Sequence, residues 1–456
     1  LKLPWGSTGF CHADVPHRVR GKPARCPNVR IQGPTSSMSG VPGVRILERA
    51  DGREGVEELE LEAGGRYGLG VSWGEVAGCP VDIDLQCVVV DGSGVIIDCA
   101  YYNNLKAARA VTHSGDESSG KAGGIREAVW VSFKRLPANV HLLIFVVAAY
   151  SGGSLKDVVD GQLHVFKDND SHEIALFEME SSAAAVDVIA VMSRKAGSDS
   201  WGMLIMDQPA EQGRHFMDIL PLLGDVVRSF LPHAPPRQKV AFAMEKGTVL
   251  DLPQDLGRIT VGLGWDVDDG ECDVDVSAVL LDQAGRDLEA VFFGRLESAE
   301  HGIKHSGDNL TGEGDGDDEQ IVVDLARIGP VVQQVFFVVN IYTQNRSFSQ
   351  VANPYCRIVE DAGGTELCRY RLREAGSQSG LVIAKVAREV GGRWGFHAMG
   401  LPCKGRTYKD SLPQIRASFD LKTSSLMMQT ATSTTFSEVG PVSSAPPPKS
   451  TACALL

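Results

Sequence analysis

Six carboxylates and no base crowd into the fourteen residues from Ser306 to Glu319: Asp308, Glu313, Asp315, Asp317, Asp318 and Glu319, with glycines at 307, 312, 314 and 316. Like charges this close repel one another unless a cation lies among them. Oxygen ligands on a glycine-articulated loop suit a hard divalent ion. Ca²⁺ accepts six to eight oxygens at roughly 2.3–2.6 Å with tolerant geometry, whereas Mg²⁺ prefers a strict octahedron and keeps its waters. The span from Asp308 to Glu319 has EF-hand length, but Leu310 and Gly312 stand where that motif needs Asp or Asn, and Glu313 where it needs Gly. Upstream, Asp273 and Asp275 alternate along an expected strand. Alternation places both carboxylates on one face, where they could complete the shell.

Other chemistry finds little support. Gly262-x-Gly264 lacks the third glycine of a dinucleotide loop, and Asp266, Asp268 and Asp269 follow at once, repelling a pyrophosphate. His301 and His305 would align as metal ligands only on a helix, and the neighbouring glycines oppose one, so exposed loop histidines are expected. No nucleophile elbow and no H-E-x-x-H occur. The expectation is a protein that is not an enzyme.

The elements that carry the loop come twice. Asp82-Ile83-Asp84 returns as Asp273-Val274-Asp275, His113-Ser114-Gly115-Asp116 as His305-Ser306-Gly307-Asp308, and Ser200-Trp201-Gly202 as Arg393-Trp394-Gly395. Gly68-Leu69-Gly70 with Trp73 is matched to Gly262-Leu263-Gly264-Trp265, and the Gly213-to-Pro221 segment to Gly405-to-Pro413. The near-constant offset indicates an internal duplication. Within each copy the apolar runs are short, β-branched and punctuated by Gly, Asp and Asn, which predicts strands packed as a β-sandwich. Leu142–Ala149 and Val335–Ile341 are apolar on both faces, as central strands are. Leu220, Leu223, Val226, Val227 and Phe230 recur at helical spacing, so a short helix is expected to close each repeat.

In the first copy the loop has lost its charges. Lys121, Gly123, Ile125 and Arg126 replace Glu313, Asp315, Asp317 and Asp318, leaving Asp116 and Glu127 beside Asp82 and Asp84. Two cations stand where a cation would bind. The first repeat is therefore expected to bind no calcium, or very little, and to serve as a scaffold.

The chain has 456 residues, a formal net charge of −14, and 43% hydrophobic and 22% charged residues, which suits two globular domains and argues against general nucleic-acid binding. Ten cysteines without a C-x-x-C pair read as reduced thiols of a cytoplasmic protein. The expected division is an unstructured or truncated segment 1–44, a diverged repeat 45–231, a Pro-rich linker 232–239, a second repeat 240–420 and a disordered tail 421–456. Its last residues, Cys453-Ala454-Leu455-Leu456, match a prenylation box whose terminal Leu favours geranylgeranyl transfer at Cys453. One prenyl chain without a second signal implies reversible membrane association.

Gly-Leu-Gly-Trp-Asp at 262–266, Asp-x-Asp-x-Ser-Ala at 273–278 and the acidic string 306–319, in that order, resemble the TerD family of tellurium-resistance and stress proteins. That resemblance implies an all-β fold of two tandem TerD-like sandwiches, with Ca²⁺ as cofactor. Carried onto this sequence, it implies as ligands Asp273, Asp275, Asp308, Asn309, Glu313, Asp315, Asp317, Asp318 and Glu319, with carbonyls of Gly312 and Gly314 available. Leu310 departs from the basic residue usual there. The implied function is a calcium-dependent interaction module in stress response that presents a surface to protein partners. The alternative is a binder of a small ligand such as a cyclic nucleotide.

Overall fold

The computed structural model describes residues 44–50, 58–74, 81–115, 124–150, 152–267, 273–307, 316–361, 364–371, 376–389 and 392–419. Asp308, Asn309, Glu313, Asp315, the tail 421–456 and Cys453 lie outside them.

Each repeat is two sheets face to face. In the first, a seven-stranded sheet runs in the order Arg45–Ile46, Glu173–Glu178, Val159–Lys167, Arg66–Gly74, Glu127–Ser132, Val111–His113, Lys106–Ala107. Opposite it lies a six-stranded sheet ordered Leu59–Leu61, Trp201–Pro209, Val186–Arg194, Val140–Ala148, Asp84–Asp91, Ile96–Ala100. The second repeat reproduces both orders strand for strand. Even local irregularities recur: the ladders shift register at Val188–Ala190 and again at Val382–Ala384, and Ser154–Asp157 and Ser347–Gln350 form the same capping box.

The expected central strands are central. Val140–Ala148 and Gln334–Ile341 each pair on both sides and are buried on both faces. One sequence match needs correcting. Val71 pairs with Glu127 and Leu263 with Glu319, so Gly70 is the counterpart of Gly262, and the Gly-Leu-Gly match drawn from Gly68 is two residues out of register.

Closing helices occupy Leu220–Phe230 and residues 408–419. Leu223, Val226 and Val227 are buried by the first, which packs on the outer face of the six-stranded sheet. Ile415 does the same for the second, against Val279, Phe336 and Val338. Cys87, Cys99, Cys356, Cys368 and Cys403 are buried free thiols, as expected of core-filling cysteines. Among the described residues, no helix is long and apolar enough to cross a membrane.

Both repeats belong to one compact unit, Pro42–Leu456, and share one apolar cluster running from Val88 and Phe216 through Phe242 and Leu250 to Phe396. The Pro-rich linker is tied down along its length. Arg228 donates to the carbonyls of Pro235 and Pro236, His233 Nε2 lies 2.8 Å from Gly92 O, and Ile96 bonds Lys239 and Ala241 on either side.

Candidate functional site

Both acidic-loop positions are framed by one repeated brace. In the first repeat a Glu127 oxygen accepts the Leu85 N–H at 2.8 Å, while His113 Nε2 faces Leu85 O at 2.9 Å and Nδ1 accepts the Gly115 N–H at 3.0 Å. In the second, Glu319 accepts from Val276 N–H at 2.7 Å, His305 Nε2 faces Val276 O at 3.2 Å and Nδ1 accepts from Gly307 at 3.0 Å. The acceptor role of Nδ1 places the imidazole proton on Nε2, toward the carbonyl and the carboxylate. Each Glu–His pair thus stitches the two sheets together at one end of the sandwich, where the loop leaves and returns. Burial works against the charged form of His305, but the Glu319 carboxylate outweighs it and raises the ring's proton affinity.

That end does not aim every candidate carboxylate inward. Asp317 lies on the outer face of the seven-stranded sheet, over Gly262, where an added Cβ would come within 2.0 Å of its Oδ2. Both its oxygens are engaged. Oδ1 accepts from Arg357 Nε at 2.7 Å and from the Tyr355 hydroxyl at 3.0 Å, and Oδ2 accepts from Arg357 Nη2 at 3.1 Å and from Gln320 at 3.2 Å. Burial, with this carboxylate adding to it, pushes the Tyr355 phenol up to about 12. Asp275 points to the outer face of the other sheet. It lines a pocket of about 110 Å³ with Ser277, Phe292, Asn340, Arg406 and Lys409.

Asp318 and Glu319 sit at the lip between the sheets. An Asp318 oxygen accepts the Trp265 N–H at 2.8 Å; burial raises its carboxyl, and the charges of Asp266, Asp317 and Glu319 raise it further, against that hydrogen bond. Asp273 opens the strand Val274–Leu281 at the same end, its N–H donated to Thr343 Oγ1. Among the described residues, no three His, Cys, Asp or Glu groups come together closely enough to hold a metal unaided. Asp308, Asn309, Glu313 and Asp315 lie outside the described residues; the oxygen-only chemistry of these side chains is of the kind a hard ion takes.

A family model described as TerD domain matches the chain twice, over residues 62–213 and 240–419. The chain belongs to the TerD domain family. The tellurium resistance protein TerZ of Serratia marcescens is 42% identical over 167 residues, covering 34% of this chain and 85% of that protein. General stress protein 16U of Bacillus subtilis is 36% identical over 179 residues, covering 36% and 93% respectively. The tellurium resistance protein TerD of an Alcaligenes species is 35% identical with the same two coverages. A solved structure, a Streptomyces coelicolor homologue of the telluride resistance protein TerD, aligns at 25% identity over 34% of this chain and 94% of its own, with a TM-score of 0.31.

Each of these TerD relatives matches about one repeat, so this chain is a tandem member. In its first TerD domain the loop end is rebuilt. Ile125 replaces Asp317 and lies over Gly70, and Arg126 replaces Asp318, its guanidinium 4.5 Å above the Trp73 ring. One residue of the site escaped the sequence reading. Arg357 neutralises Asp317 from forty positions away, and no local pattern marks it. The expected exposed histidines are a correction: His301 and His305 are both buried, and His305 is half of the brace, a role signalled only by the recurrence of His113-Ser114-Gly115.

Proposed function

We propose that the second TerD domain is a non-enzymatic, calcium-dependent interaction module of stress response, with the first as its fixed scaffold. One observation carries this reading: Asp317 and Asp318 alternate to opposite sides, Asp317 onto Arg357 and Asp318 to the lip, where burial and the charges of Asp266, Asp317 and Glu319 raise its carboxyl against the Trp265 N–H. Asp308, Asn309, Glu313 and Asp315, with Asp318 and Asp273 at the lip, would hold the ion. Asp317, Asp275 and the engaged oxygen of Glu319 act in positioning. Bound Ca²⁺ supplies the positive charge that Arg126 supplies permanently in the first repeat. The loop then closes into one surface for protein partners, and Cys453, if prenylated, would bring that surface reversibly to a membrane in the cytoplasm.

Titration calorimetry of the full chain with Ca²⁺ tests this, alongside the Asp315→Ala, Asp318→Ala double variant. Binding at one site that the double variant loses is the expected result; no heat and no thermal stabilisation at millimolar Ca²⁺ would refute the reading.

A further inference from the structure

A cleft of about 680 Å³ lies between the repeats, a volume within the range of small-molecule sites, which favour domain interfaces. Its first wall is built by the strand Ile96–Ala100, the turn at 107–110 and the end of the short helix Phe133–Arg135; its second is the entry segment of the other repeat, residues 241–250. Neither repeat forms it alone. We propose that this cleft binds a small organic anion with two or more acidic groups, held by Lys106, Arg109 and Arg135 against an apolar wall of Tyr101, Phe242 and Met244.

Charge is the first reason. The chain carries a formal net charge of −14, yet these three exposed side chains line one concave surface, and among the described residues none has an ion-pair partner. The exposed acid in the lining is Glu245, from the opposite wall. Cations collected in a concave, partly apolar site focus their field on an entering anion.

Backbone strain is the second. Ala108 and Arg109 are consecutive non-glycine residues at φ 46° and 57°, a left-handed conformation unfavourable for side-chain-bearing residues that persists only where surroundings enforce it. Asp98 enforces it. This carboxylate accepts the Ala108 N–H at 2.7 Å and, on its other oxygen, the Cys99 N–H at 2.9 Å and the Asn104 amide at 3.2 Å. This half-buried acid, itself part of the lining, thereby fixes the turn that carries Arg109 and directly follows Lys106.

The third reason is that two of the three charges are not inherited from the fold: Arg135 has a basic counterpart in Arg327, whereas Lys106 and Arg109 have none. Lys106 pairs with Thr112 as Glu297 pairs with Lys304, so the duplicate position in the second repeat is acidic, and its following turn carries Glu300 where the first has Arg109. The two added cations belong to the repeat whose face is covered by its neighbour.

Calorimetry on the full chain, freed of divalent cations on a chelating resin that is then removed and with ionic strength held constant, tests the site using citrate and inorganic pyrophosphate as separate probes. Saturable binding of either supports it, citrate alone marking a carboxylate ligand and pyrophosphate alone a phosphorylated one. Lys106→Gln with Arg109→Gln should weaken that binding at least tenfold and leave Tm unchanged, since both side chains are exposed and without ion-pair partners; Glu297→Gln with Glu300→Gln should leave affinity unaltered. Binding of neither probe, or equal affinity in the Lys106→Gln, Arg109→Gln variant, overturns the proposal. Should that pair alter Tm, Arg135→Gln alone decides on the same criterion. Removing divalent cations beforehand keeps the outcome independent of the calcium reading.

Discussion

Arg393 of the second repeat grips both carboxylate oxygens of Asp218 in the first, Nη1 to Oδ1 at 2.8 Å and Nη2 to Oδ2 at 2.6 Å. Their side chains are 3% and 8% exposed; Arg393 also donates to Leu252 O, and Asp218 accepts the N–H groups of Arg214 and Gln254. Removing one partner of such a pair strands a buried charge, at a cost of about 3–5 kcal/mol. Arg393→Ala should therefore destabilise the chain by that amount in chemical denaturation, and adding Asp218→Ala should restore part of the loss. A cost below about 1 kcal/mol would mean that the repeats are not coupled here.

The same interface contains a carboxylate shifted the other way. Burial pushes Asp251 up to about 6, with Glu389 adding to the shift, against hydrogen bonds from the Tyr102 hydroxyl and the Asn103 amide and the charge of Arg393. Neutral His215 lies beside it, held below its usual range by burial and Arg393. Because its folded value exceeds its unfolded one, Asp251 binds a proton more readily in the native state, so its contribution is fully present below about pH 4 and lost as pH rises through about 6. Asp218 is depressed overall, its bonds to Arg393 outweighing burial, and contributes in the opposite sense: present above about pH 4, lost as pH falls further. Asp251→Asn should flatten stability between about pH 4 and 6, an effect on the order of 2 kcal/mol, and leave the acid limb in place. An unchanged slope over that interval would count against the assignment.

How much of this was legible in sequence depends on locality. The duplication, the sandwich, the central strands and both closing helices follow from periodicity and recurrence, and the structure contains them. The inter-repeat contacts do not. Tyr101 bridges Val249 O and Asp251 N–H with one hydroxyl, and nothing near residue 101 announces a partner about 150 positions on. Composition likewise marks 232–239 as a Pro-rich linker, and nothing in it announces the bonds that tie the segment to Arg228, Gly92 and Gly94. The acidic loop was visible as charge, but charge alone does not say where each carboxylate points. Asp317 and Asp318 are neighbours that alternate to opposite sides, one to Arg357 and one to the lip.

That alternation separates two otherwise similar substitutions. Asp317→Asn removes a charge already neutralised by Arg357, so calcium affinity should change by no more than a few-fold, while folding stability falls as the Arg357–Asp317 pair, with its guanidinium one-quarter exposed, loses its charge. Asp318→Asn removes an oxygen at the lip and should lower calcium affinity at least tenfold with little change in Tm in chelator. Calorimetry and thermal unfolding on the same preparations distinguish the two; the reverse ranking would place Asp317, not Asp318, at the ion.

The Glu–His brace offers a test that needs no ligand. Glu127 and Glu319 are both essentially buried, and each accepts a strand N–H from the opposite sheet, Leu85 and Val276 respectively. Truncation to Ala leaves that N–H without its acceptor in the interior, costing about 1–3 kcal/mol for the lost bond alone, and it frees His113 or His305 from its carboxylate neighbour. If the brace is purely architectural, Glu127→Ala and Glu319→Ala should destabilise the chain by similar amounts when calcium is chelated, even though one loop is acidic and the other basic. Equal costs mean that duplication preserved a device for pinning both sheets at the loop end before the loops diverged in charge. A much smaller cost at Glu319 in chelator would mean that its carboxylate repels its neighbours more than it binds Val276, and that the brace in the second repeat is completed only when a cation is present.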